Sequence, residues 1–103
     1  MSDLLERISA LLAAPTRDLG QIERTLTDGY AHALALEGEG SRLERRVTAL
    51  SRSIEGGDVA SKTRELAHVA RCLESNKSDL ASLRRALAEL RRHAQEARVG
   101  SPG

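Results

Sequence analysis

His68 and Cys72, two side chains that commonly bind metal ions, stand four residues apart in the second half of the chain. On an α-helix this spacing places both side chains on one face, where they could supply two ligands to an ion such as Zn²⁺. A structural zinc site takes about four ligands, and the chain has no second cysteine. We therefore predict neither a metal site nor a cofactor.

General acid–base catalysis would draw on the three histidines, His32, His68 and His93. Such catalysis also requires a pocket and an oriented partner for the histidine, and a slender helical chain has no obvious concave site. The sequence contains no glycine-rich phosphate loop, nucleophile elbow or paired-carboxylate motif. We predict a non-enzymatic protein with no catalytic residues, no cofactor-binding residues and no small-molecule substrate.

Arginines form a stripe along the last part of the chain, at Arg84, Arg85, Arg91, Arg92 and Arg98. A stripe of this kind could follow a phosphate backbone. However, one Tyr and no Phe or Trp leave almost no aromatic side chain to stack on bases. The net charge of +1 also provides no strong field to attract nucleic acid. Nucleic-acid binding by this basic face is therefore the alternative function.

The composition indicates helices. Hydrophobic residues make up 40% of the 103 residues and charged residues 30%. Since aromatic residues are nearly absent, the apolar content is almost entirely Leu, Ala, Val and Ile, which is typical of long helices and coiled coils. The length suits one small domain. We predict an all-α protein.

The sequence predicts a soluble, cytoplasmic protein. A single cysteine fits a reducing compartment. The N-terminal stretch MSDLLERISALLAAPTRD lacks the basic first region of a secretory signal. No stretch approaches the roughly 20 apolar residues that span a bilayer, so we predict no membrane partner.

Apolar residues divide the chain into three helical segments. From Leu19 to Ile54, and again from Val59 to Ala97, seam residues recur in alternating steps of three and four, which is a heptad repeat. Thr16 and Asp58 are the predicted N-caps of the two long helices. We predict a short amphipathic helix, an antiparallel coiled-coil hairpin and a disordered tail at residues 1–15, 16–99 (helices about 17–55 and 59–98, turn 56–58) and 100–103.

Charges that were not used to find the heptads support this hairpin. If the chain folds back at Gly56 and Gly57, oppositely charged or otherwise compatible residues face each other, and no like-charge pair appears. The pairs are Glu23–Arg91, Glu37–Lys77, Tyr30–Arg84, Arg46–Glu65, His32–Asp79 and Asp18–His93. Each exposed pair contributes about 0–1 kcal/mol, so the pairs favour one register rather than adding much stability.

Three seam residues are predicted to set the register or the specificity of association. Gly29 and Gly40 face Leu83 and Leu73 in the pairing, so that a missing side chain on one helix accommodates a large one on the other. Gly40 and Gly38 interrupt a strongly helical stretch, but the apolar phase continues through them, and we predict one continuous, weakened helix. Asn76, a polar residue opposite Leu36, could fix register or oligomer state.

A second apolar surface lies partly off the seam. It comprises the candidate interface residues Tyr30, Leu34, Ala35, Val69, Ala70, Cys72 and Leu73. We predict that two hairpins associate there into a four-helix bundle with twofold symmetry, so that the protein is a structural or interaction module that forms a homodimer. Two alternatives remain: the first helix covers this surface, or a helix of another protein binds it.

Overall fold

The computed structural model describes residues 2–54 and 58–99, and three α-helices account for nearly all of them, with no strand among these residues. The helices are α1 (Ser2–Ala13), α2 (Leu19–Ser53) and α3 (Val59–Val99). The prediction of an all-α protein is confirmed. The predicted glycine turn at residues 56 and 57 and the predicted tail at 100–103 lie outside the described residues.

Helix α1 ends at Ala13 because the chain is about to enter Pro15. The residue before a proline, here Ala14, is sterically pushed out of the α region, so the helix stops earlier. Asp3 in the first turn interacts favourably with the helix dipole. Ile8 of α1 is buried and is only 1% exposed.

Helix α2 is capped by Asp18, and the prediction that Thr16 caps it is wrong. The backbone N–H of Gln21 donates to Asp18 Oδ1 at 3.2 Å, and the N–H of Ile22 donates to the Asp18 carbonyl at 3.0 Å. This is the N-cap geometry. A carboxylate at this position also interacts favourably with the positive end of the helix dipole, which a threonine hydroxyl does to a lesser degree.

Helix α3 begins with the predicted cap, Asp58. Its Oδ1 accepts a hydrogen bond from the Ser61 N–H at 3.3 Å, and its carbonyl accepts one from the Lys62 N–H at 3.1 Å. The Lys62 side chain then donates from Nζ to the Ser53 carbonyl at 2.9 Å. A cation therefore satisfies one of the carbonyls left free at the C-terminus of α2.

Helix α2 continues without a break through Gly38 and Gly40, as predicted. None of the described glycines has a positive φ angle, so no left-handed backbone is needed there. A Cβ atom built on Gly38 would meet Arg42 Nη1 at 3.8 Å, an ordinary contact. Packing therefore gives no reason for glycine at position 38.

The chain forms two compact units, and both α2 and α3 contribute to each. Unit 1 contains the residues up to Leu34 together with those from Ala81 onward, and unit 2 is Ala35–Leu80.

None of the helices within residues 2–54 and 58–99 has both the length and the apolar character of a membrane span.

Unit 1 has a core to which three helices contribute. Its buried apolar residues are Ile8, Ile22, Ala33, Leu83, Leu87, Leu90 and Ala94. Burying one large aliphatic side chain contributes about 1.5–3 kcal/mol. The third helix therefore gives unit 1 a stable apolar interior.

Unit 2 contains only two helices, and its apolar residues are less well covered. Contacts join Arg46 to Glu65 and Leu36 to Asn76, so α2 and α3 run in opposite directions here. Val69 is the one buried apolar side chain among the described residues of this unit. The half-buried apolar side chains include Leu36, Leu43, Val47, Leu50, Ile54, Leu66, Leu73 and Leu80.

Candidate functional site

The seven candidate interface residues differ in exposure and fall in both units. In unit 1, Tyr30 and Leu34 are 47% and 69% exposed. The other residues belong to unit 2, where Val69 is 5% exposed and therefore part of the interior. Of the remainder, Ala35 is exposed, and the half-buried residues are Ala70, Cys72 and Leu73.

Tyr30 lies beside a groove between α2 and α3 in unit 1, which we call the unit 1 groove. It has a volume of about 360 Å³ and is lined by Leu26, Tyr30, Arg91, Ala94, Gln95 and Arg98. The groove combines an aromatic ring and aliphatic side chains with two arginines. Tyr and Arg are both enriched in protein–protein interfaces.

Gly29 provides the space that Leu87 occupies. A Cβ atom built on Gly29 would lie 2.3 Å from Leu87 Cδ2 and 3.3 Å from Leu87 Cγ. The residue expected opposite Gly29 was Leu83, one turn earlier on α3. The difference arises because a side chain inserts between residues of the facing helix rather than directly opposite one of them.

Asn76 is buried at 7% exposure, and its side-chain Nδ2 donates to the Leu36 carbonyl at 3.0 Å. This places Asn76 opposite Leu36, as predicted. A Cβ atom built on Gly40 would lie 2.7 Å from Asn76 Oδ1. The glycine therefore accommodates the Asn76 amide, whereas the pairing had assigned Leu73 to this space.

One of the predicted charge pairs forms in the structure, and another forms with a different arginine. Arg46 pairs with Glu65, as predicted. In unit 1, Glu23 pairs with Arg98 and not with Arg91, which corrects the prediction by two helical turns. The reason is that Arg91 and Arg98 lie on the same face of α3, and a long arginine side chain can reach a carboxylate from either position.

Asp18 and His93 do not form the predicted pair. The Asp18 carboxylate caps α2 instead, and His93 Nε2 is buried with no hydrogen-bond partner in the described part of the chain. An unpaired buried polar atom costs stability because its bond to water is lost on folding. The remaining pairs, Tyr30–Arg84, Glu37–Lys77 and His32–Asp79, stay predictions.

His68 and Cys72 contact each other, with Cys72 Sγ 3.7 Å from His68 Nε2. The helical spacing therefore brings both side chains together on one face. No third ligand joins them: residues 2–54 and 58–99 contain no group of three or more His, Cys, Asp or Glu side chains that could hold a metal ion.

Arginines of the predicted basic stripe bond to neighbouring side chains. Arg98 pairs with Glu23, and Arg85 donates from Nη2 to Ser82 Oγ at 3.4 Å. Arg91 lines the unit 1 groove. These contacts add nothing in favour of nucleic-acid binding, which a gel shift at low salt would detect directly.

The sequence analysis missed a cleft between α1 and α2 in unit 1, which we call the α1–α2 cleft. Its volume is about 420 Å³, and its lining includes Arg7, Leu11, Ala14, Arg24, Thr25 and Asp28. Arg7 Nη2 lies 3.1 Å from Asp28 Oδ2 and 3.3 Å from Thr25 Oγ1. Thr25 is 2% exposed. No signal in the sequence pointed to this cleft, because a threonine hydroxyl can also bond to a carbonyl of its own helix, as Thr27 does to Glu23 at 3.0 Å.

Comparison with known proteins adds no relative: no protein-family model matches this chain, and no curated protein or solved structure matches it.

Proposed function

We propose that this chain is a non-enzymatic interaction module that self-associates through unit 2. In this proposal α2 and α3 form a coiled-coil hairpin, and two hairpins pack into a four-helix bundle with twofold symmetry. The observation that carries the proposal is the poor burial of unit 2, where Val69 is the one fully covered apolar side chain among the described residues. Unit 1, with a third helix, buries seven.

The half-buried side chains supply the driving force for association. Each square ångström of apolar surface removed from water contributes about 25 cal/mol, so a partner that covers several leucines contributes several kcal/mol. Two-helix units seldom bury enough apolar surface to be stable alone. A second copy of unit 2 would provide the helices that this unit lacks.

Asn76 supports selectivity in this association. A buried polar residue in a helical core lowers stability, but it disfavours arrangements that leave its amide without a partner. Here the amide is already bonded to the Leu36 carbonyl, and Gly40 provides the space for it. An association that displaces Asn76 from this position would break its hydrogen bond to the Leu36 carbonyl, and would therefore be less stable than one that keeps it.

Light scattering after gel filtration tests the proposal directly. We expect twice the chain mass at micromolar concentrations, and a thermal unfolding midpoint that rises with protein concentration. Cys72, the single cysteine, gives a local readout because it is half-buried in unit 2. Its reaction with a thiol reagent should slow as the protein concentration rises.

A matched control places the thiol in unit 1. In the variant Cys72→Ser, Ala88→Cys, the thiol is at an exposed position of α3, so its reaction rate should not depend on protein concentration. A monomer mass throughout, with a constant Cys72 reaction rate, would overturn the proposal.

A second candidate function is the binding of a helix from another protein in the unit 1 groove. The exposure of Tyr30 and Leu34 favours it, because exposed apolar side chains four residues apart fit the face of an amphipathic helix. Leu34→Glu tests whether self-association also uses this surface, with Ala88→Glu as a control that adds the same charge at an exposed position of unit 1. If self-association uses unit 2, both variants keep the dimer mass. A wild-type monomer with concentration-independent stability would favour the second candidate.

A further inference from the structure

The α1–α2 cleft has the size and the mixed character of a small-molecule site. Its volume of about 420 Å³ falls within the range of roughly 300–1,000 Å³ that is typical of ligand pockets. One wall is apolar and consists of Ala10, Leu11 and Ala14. An apolar wall facing a few polar groups is the usual arrangement in such pockets.

Two charged groups in the cleft neutralise each other. The Arg7 guanidinium is paired with the Asp28 carboxylate at 3.1 Å, and it also donates to the hydroxyl of buried Thr25. The pair links α1 to α2, since Arg7 and Asp28 come from different helices. These residues therefore give the cleft its shape and leave it little net charge.

Arg24 is different, because its guanidinium has no hydrogen-bond or ion-pair partner within residues 2–54 and 58–99. It lines the same cleft, as does Gln21, whose side-chain amide is also without a partner among those residues. The two residues are three apart on α2, so their side chains are neighbours on one helix face. Two side chains of the cleft, one with a positive charge and one with an amide, thus have no partner among those residues.

We propose that the α1–α2 cleft binds a small monocarboxylate with an apolar body, such as an aryl or branched-alkyl acid. Arginine presents paired N–H donors that match the two oxygens of a carboxylate. The Gln21 amide would donate a further hydrogen bond. The apolar body would lie against Ala10, Leu11 and Ala14, where its burial removes apolar surface from water.

The charge of the cleft selects among ligand classes. Arg24 disfavours a cation, since like charges repel at short range. A dianion such as a phosphate monoester would keep one of its charges uncompensated, because Arg24 is the one positive charge of the cleft without a partner among residues 2–54 and 58–99. A singly charged acid matches the charge that remains.

Titration with 2-naphthoate, followed by NMR of backbone amides, tests this proposal. Its neutral counterpart, 2-naphthamide, has the same rings but no charge. We expect amide shifts to concentrate at Leu11, Ala14, Gln21 and Arg24. Binding of 2-naphthoate should be about tenfold tighter than that of 2-naphthamide, since a hydrogen bond to a charged group is worth that factor or more.

Variants of Arg24 separate a carboxylate site from general apolar binding. Arg24→Gln should weaken 2-naphthoate to the affinity of 2-naphthamide and leave 2-naphthamide unchanged. Arg24→Lys keeps the charge but loses the paired donors, so we expect an intermediate affinity. Arg92→Gln, at an exposed position of α3 in unit 1, is the matched control and should bind as the wild type does.

Three results would overturn the proposal. They are the absence of saturable binding, equal affinity for the acid and the amide, and an Arg24→Gln variant that binds 2-naphthoate like the wild type. Arg24 is exposed, so its replacement should leave the fold intact, and an unchanged thermal unfolding curve would verify this. None of these results depends on whether the chain self-associates.

Discussion

At Gly29 a single missing methyl group determines whether α2 and Leu87 fit together. A Cβ atom there would lie 2.3 Å from a methyl carbon of Leu87, which is itself 2% exposed and has little room to move. We expect Gly29→Ala to lower the free energy of unfolding by about 1–2 kcal/mol, because overpacking outweighs the gain in helix propensity. Urea denaturation would measure the change.

Gly38→Ala is the control for this substitution. It also lies within α2, but its Cβ atom would make only an ordinary contact with Arg42. Helix propensity should then act alone and raise the free energy of unfolding by about 1 kcal/mol. Equal effects of the two substitutions would show that Leu87 adjusts without cost.

His93 is the second residue with a clear energetic consequence. Its Nε2 atom is buried without a hydrogen-bond partner in the described residues, which costs about 1–3 kcal/mol. We expect His93→Leu to leave the thermal unfolding midpoint unchanged or to raise it. His68→Leu, at an exposed position, should change stability by less than about 0.5 kcal/mol. A marked loss of stability in His93→Leu alone would mean that the imidazole has a partner in solution.

At the scale of the elements, Asp18 determines where α2 starts. Replacing a capping aspartate with alanine removes the acceptor for the Gln21 N–H. We expect Asp18→Ala to cost about 1 kcal/mol. Thr16→Ala should change the free energy of unfolding by less than about 0.5 kcal/mol, since Thr16 lies outside the helix. Chemical denaturation of both variants would test the assignment, and the reverse order would restore Thr16 as the cap.

Within unit 2, Gly40 and Asn76 should be energetically coupled. Asn76 is held by its bond to the Leu36 carbonyl, so a Cβ atom at position 40 would push its amide away from that bond. Gly40→Ala should stabilise the Asn76→Ala variant but not the wild type. The expected coupling energy in a double-mutant cycle is about 1–2 kcal/mol. Additive effects would show that Asn76 moves aside freely.

The sequence predicted the elements better than their contacts. Leucine spacing reports which face of a helix is apolar, and so all three helices and the continuity through Gly38 and Gly40 were predictable. The same spacing repeats every seven residues, and it cannot tell Arg91 from Arg98 as the partner of Glu23. The α1–α2 cleft depends on where α1 docks, and this contact between separate helices leaves no periodic pattern in the sequence.

At the scale of the whole molecule, burial is uneven, and local stability should follow it. We expect backbone amides at core positions of unit 2 to exchange hydrogen about tenfold faster than those of unit 1, a difference of about 1.4 kcal/mol, because opening them exposes less apolar surface. Hydrogen exchange at low protein concentration would measure this difference. Higher concentration should slow exchange in unit 2 if it self-associates. Uniform protection across both units would contradict the expectation.

The division of the chain also bears on the order in which it folds. Unit 2 is one uninterrupted stretch, Ala35–Leu80, whereas unit 1 joins two separate stretches, as in the contact between Arg17 and Glu96, 79 residues apart. The contacts across unit 2 close shorter loops, 19 residues for Arg46 with Glu65 and 40 residues for Leu36 with Asn76, so they cost less conformational entropy to form. The less well-covered unit can therefore form first, and chains that refold together would present it to each other before unit 1 is complete.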